Sequence, residues 1–129
     1  MNKTVIAGAA VLALAVAATA VAAGSGDYAF EPVNIEVRNA PGTEIAVRLV
    51  HKPTGKPVAG AVITRTSLDM APAQHRMAAT VVPISSSELG VYRFRANFTM
   101  AGSWALKLTA KVPGENETFE DRVIFRAKD

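Results

Sequence analysis

Soft metal ligands are concentrated in one short segment of this 129-residue chain. The order Asp69-Met70-Ala71-Pro72-Ala73-Gln74-His75-Arg76-Met77 places two thioethers and one imidazole within eight residues, and Met100 is the only other methionine after Met1. A thioether is soft and uncharged, so it favours Cu(I) over Zn(II) or Ca(II). Imidazole serves copper as well, provided that it is neutral. The chain has no cysteine, and thioether-imidazole ligation is the form a soft-metal site takes where thiols would be oxidised. His75 and Met77 point the same way if the segment is extended, and Met70 can fold back through Pro72. The metal reading is therefore Cu(I) on Met70, His75 and Met77, with Met100 as a further donor. Packing competes for the same residues: methionine fills gaps in cores, Met100 precedes the Ala101-Gly102 turn, and Asp69 can cap a turn through its side chain.

Little else in the chain points to chemistry. His51 closes a strand before Lys52-Pro53 and reads as a surface residue. No Gly-x-Ser-x-Gly elbow, HExxH pair or glycine-rich phosphate loop is present, and Ser85-Ser86-Ser87 reads as a turn with no base beside it. The expectation is a protein that is not an enzyme. Fourteen Lys and Arg face 11 Asp and Glu with no basic run or aromatic-basic cluster, so nucleic acid is a poor partner. Arg93, Arg95, Lys107 and Lys111 are expected on an outer sheet face. That face is either merely solvated or a docking surface for an envelope transporter or assembly partner.

These residues need a frame to hold them, and the chain supplies two parts. Met1-Asn2-Lys3 is followed by an uncharged apolar run, Val5 to Ala23, and then by Gly24-Ser25-Gly26-Asp27. A short positive start, an apolar middle and small residues at the end describe a helical secretory signal over residues 1–23. An uncleaved membrane anchor is the alternative, since the run is just long enough to cross a bilayer core of ~30 Å. Residues 24–28 read as a linker and 29–129 as one domain, outside the cytoplasm in either case: periplasmic or secreted, or anchored in the inner membrane and facing the periplasm.

From residue 29 onward the apolar residues alternate with polar ones. Tyr92, Phe94, Ala96 and Phe98 oppose Arg93, Arg95 and Asn97. Trp104, Leu106, Leu108 and Ala110 oppose Ala105, Lys107 and Thr109. Val33, Ile35 and Val37 oppose Asn34, Glu36 and Arg38. A period of two marks strands with one buried face, and Pro- and Gly-bearing turns separate them. The pattern predicts about seven strands, near 29–38, 44–51, 58–68, 77–84, 90–98, 103–112 and 117–126. That is an all-β, two-sheet sandwich of immunoglobulin-like build. Trp104 should be buried among Tyr92, Phe94, Phe98, Leu106, Leu108 and Phe125.

Four pieces carry a family resemblance. They are Lys56-Pro57-Val58-Ala59-Gly60-Ala61-Val62, Asp69-Met70-Ala71-Pro72 with His75 and Met77, Gly90-Val91-Tyr92-Arg93-Phe94, and Met100-Ala101-Gly102-Ser103-Trp104-Ala105-Leu106. Together, over about residues 30–126, they resemble the YtkA-like domain, which is similar to FixH-like proteins. The resemblance implies an extracytoplasmic immunoglobulin-like module, found alone or joined to metal-efflux adaptors, with FixH-like members linked to copper-oxidase assembly. It implies as partners an envelope metal transporter or oxidase-assembly proteins. It also implies a Met-rich loop at Met70–Met77, from which this chain departs in not being Met-dense.

Overall fold

The computed structural model of the chain describes residues 26–74 and 76–129. The expected signal or anchor helix over residues 1–23 lies outside them. Among the described residues, no helix is long and apolar enough to cross a membrane.

Ten strands form: β1 Tyr28–Pro32, β2 Glu36–Arg38, β3 Thr43–His51, β4 Lys56–Pro57, β5 Val62–Asp69, β6 Ala78–Ala79, β7 Val81–Ile84, β8 Val91–Ala96, β9 Gly102–Lys111 and β10 Thr118–Lys128. They make two five-stranded sheets. The first runs β1-β3-β8-β7 with β4 also on β3, and the second runs β2-β10-β9-β5-β6. Only β2 and β10 pair in parallel among them. The inner faces meet over Leu49, Phe94, Leu68, Leu106, Leu108 and Phe125, with Trp104 wholly buried at their centre. No polar or charged residue is buried among the described residues, so apolar burial is the main stabilising term.

Ten strands replace the expected seven because the predicted strands 29–38 and 77–84 each divide between the sheets and a short strand, β4, precedes the third, 58–68. Residues 29–38 become β1, paired with β3, and β2, paired with β10. Pro32 ends β1, and the connection is held by Val33 N–H on Ala46 O at 3.0 Å and by Arg126 N–H on Ile35 O at 2.8 Å. Ile35 does not join the buried face: it is 58% exposed at this corner. The predicted strand 58–68 begins only at Val62, as β5 in the second sheet, and β4 just ahead of it, Lys56–Pro57, pairs with β3 in the first. Here the Tyr92 hydroxyl clasps the crossing, donating to Val58 O at 2.8 Å and accepting from Ala61 N–H at 3.0 Å. Residues 77–84 split at Thr80 into β6 on β5 and β7 on β8. Strands that pass from one sheet to the other form the corners of such packings.

Two glycines are required by close approach as well as by a positive φ. A Cβ at Gly90 (φ 77°) would lie 2.6 Å from Pro57 Cβ, and one at Gly102 (φ 136°) would lie 2.8 Å from Met70 Cε.

Candidate metal centre

The methionine loop leaves β5 at Asp69 and turns at once. Asp69 Oδ1 accepts Ala71 N–H at 2.9 Å, so this carboxylate caps the turn, as its residue type permits. Ala71–Ala73 form a single 3-10 turn with Pro72 inside it. Ala73 N–H reaches Met70 O at 3.0 Å and Gln74 N–H reaches Ala71 O at 2.9 Å. Gln74 adopts the left-handed conformation, φ 63°, ψ 29°. The segment from Asp69 to Gln74 is therefore bent rather than extended; His75 lies outside the described residues.

The loop closes where Met70 N–H donates to Met77 O at 2.9 Å. This bond continues the β5–β6 register, in which Leu68 faces Ala79 and Asp69 faces Ala78. Residues opposite one another in a ladder share a face, so Met70 and Met77 extend the inner row that Leu68 begins. Their environments differ. Met70 is 1% exposed and belongs to the core cluster with Trp104 and Phe98, where its methyl fills the space that Gly102 leaves open. In place of an outward-facing ligand, Met70 is a core group, held by packing. Met77 is 37% exposed.

Met100 joins the same end from the other side. It is 40% exposed, and its carbonyl accepts the Trp104 indole N–H at 2.9 Å. The indole stands edge-on to Phe98, with ring centroids 5.5 Å apart. One end of the sandwich thus carries Met77 and Met100 toward solvent, above a floor of Met70, Gly102 and Trp104. Among the described residues no three His, Asp or Glu side chains gather as a metal site.

The remaining features are ordinary. His51 Nδ1 is 2.9 Å from Thr54 Oγ1, and its ring is tilted against Tyr28. Partial burial, with the Glu115 carboxylate that accepts its hydroxyl at 3.0 Å, pushes the Tyr28 phenol above its usual range. An open groove of about 420 Å³ between β5 and β7 is lined by Ile63, Pro83, Ile84, Leu89 and Tyr92. The strand edges are blunted against further pairing. The register of β7 turns the Pro83 nitrogen to the open side, β5 is bulged between Ile63 and Arg65, and β2 has three residues. The basic set Arg93, Arg95, Lys107 and Lys111 does not form one face. Its first two members stand on β8 in one sheet and the last two on β9 in the other.

The arrangement defines a class: a two-sheet β-sandwich with blunt edges and a methionine-bearing end, and no evident catalytic constellation among the described residues. The sequence profile of the YtkA-like family matches residues 22–109, more than half of the chain, and the chain belongs to that family. The match takes in the methionine loop and Trp104 and ends within β9. No curated protein matches the sequence. Among solved structures, a conjugative transposon lipoprotein from Bacteroides eggerthii DSM 20697 is similar over 77% of this chain and 96% of that chain, at 13% identity and a TM-score of 0.33.

Proposed function

We propose that this YtkA-like protein is an exported, immunoglobulin-like module that binds or relays Cu(I) at its methionine-bearing end. The observation that carries the reading is that Met77 and Met100, both partly exposed, are each tied by their backbone to the end where Met70 and Trp104 are buried. Met77 is tied there by its carbonyl on Met70 N–H and Met100 by its carbonyl on the indole. Two neutral thioethers at a partly exposed surface, above an apolar floor, suit a soft monovalent cation and offer little to a hard one. The loop also supplies an imidazole at His75. Met70 is assigned to the floor, which it reaches by packing. Export rests on the leader pattern of residues 1–23 and agrees with a cysteine-free chain. The envelope metal transporter or oxidase-assembly partner implied by the family would receive or deliver the ion.

Competition of the full chain with a chromophoric Cu(I) chelator tests the reading. Leucine replacements keep volume and remove sulfur, so Met77→Leu and Met100→Leu should each weaken Cu(I) binding by about tenfold or more. That corresponds to ~1.4 kcal/mol for one lost ligand. His75→Ala should weaken it too, and should abolish any loss of affinity below pH ~6. Equal affinity in all three variants and the parent would overturn the proposal.

A further inference from the structure

The register of the second sheet brings together cations that are scattered in the sequence. Lys107 on β9 stands directly opposite Arg122 on β10. Arg38 on β2 stands beside Lys128 on β10. Arg65 on β5, Lys111 on β9 and Arg126 on β10 alternate onto the same outer face, and all seven are exposed. The carboxylates in register with them are Glu36, Glu120 and Asp69. One of these, Glu36, forms an ion pair, with Lys128 at 3.5 Å, while Asp69 is engaged with Ala71 N–H. Like charges directly opposite one another are destabilising in a ladder, so this face retains a repulsion that a counter-surface would relieve.

The shape and composition of the face narrow the partner. It is the solvent side of a sheet, and its exposed large apolar side chains are Ile124 near the centre and Val62 at one end. It presents no aromatic side chain: the rings on these strands, Trp104, Phe119 and Phe125, are all buried. Protein interfaces rely on aromatic anchors seated in pockets, whereas adsorption to an anionic bilayer needs only a spread of cations. We infer that the outer face of the second sheet is a docking surface for an anionic lipid bilayer. This proposal stands apart from the copper reading and uses none of its residues.

Co-sedimentation of the full chain with phosphatidylglycerol-containing vesicles and with pure phosphatidylcholine vesicles tests it. The apolar N-terminal segment can enter either bilayer, so the quantity read is the excess bound to anionic vesicles. At low ionic strength the parent should show such an excess, and about 0.5 M salt should abolish it. Lys107→Gln/Arg122→Gln should reduce it by at least about tenfold, taking about fivefold for each cation removed. Arg48→Gln/Arg95→Gln, which removes the same charge from the opposite face, should leave it nearly unchanged. Circular dichroism of both variants establishes that each is folded. No excess on anionic vesicles, or equal losses from the two variants, overturns the proposal. Binding to soluble polyglutamate without an excess on vesicles overturns it as well, and assigns the face to an acidic protein.

Discussion

The outer faces of the two sheets use the same residue types to opposite electrostatic ends. On the first sheet the arginines of β3 and β8 each meet an anion: Glu31 faces Arg48 across β1 and β3, Glu44 faces Arg95 across β3 and β8, and Arg93 is bound by Glu88. On the second, Lys107 faces Arg122 and Arg38 stands beside Lys128. Both faces sit on one apolar interior. Net charge alone, +3 for the whole chain, hides the contrast, because it averages a neutralised face with a cationic one. The lesson is that register, more than composition, decides whether a basic residue is paired or left free.

The largest test removes what the faces share. Trp104→Ala should lower stability by ~3–5 kcal/mol in denaturant unfolding, and both faces should be lost together. Met70→Ala should cost about 2–5 kcal/mol, while Met70→Leu should cost less than about 1.5 kcal/mol. That ordering is expected of a core filler, and equal costs would contradict it. A sharper probe acts on the comparison itself. Lys107→Glu converts a like pair into an opposite one and should raise the thermal midpoint at low salt, whereas Arg48→Glu creates a like pair with Glu31 and should lower it. Each change should be about 0.2–1 kcal/mol and should shrink as salt is added. Same-sign shifts would mean that the two faces do not differ as described.

The smallest effect is a pH dependence at the domain's other end. Tyr28 has its folded pKa raised above the ordinary value of 10.0 by burial and by the Glu115 carboxylate. The folded state therefore holds this proton more firmly than the unfolded chain. The associated stability is fully present below pH ~10 and is lost as pH rises through the raised value. Tyr28→Phe should flatten the alkaline limb of the stability profile, and an unchanged limb would remove Tyr28 from that account.

Most of the sandwich was legible because a half-buried strand must alternate. The predicted strands at 44–51, 90–98, 103–112 and 117–126 each lie close to a single observed strand. The predicted segments 29–38, 58–68 and 77–84 hid their breaks for one reason. In the sequence apolar residues run on through each break, although which of them face the core changes there, as exposed Ile35 between Val33 and Val37 shows. Pro32 and Gly60 marked two of the breaks, whereas Thr80 carried no comparable signal. At the candidate site, the loop was visible as a gap in the alternation. The inward turn of Met70 was not, since it depends on Gly102, more than thirty residues away, leaving room for its methyl. The division of Arg93 and Arg95 from Lys107 and Lys111 was invisible for a similar reason, because alternation tells inside from outside and not which outside.

The most direct test of the copper assignment is the copper K-edge absorption spectrum of the full chain loaded with Cu(I). A shell containing sulfur, reduced by Met77→Leu and again by Met100→Leu, is the expected result. A shell of nitrogen and oxygen alone, or one unchanged by both substitutions, would contradict it.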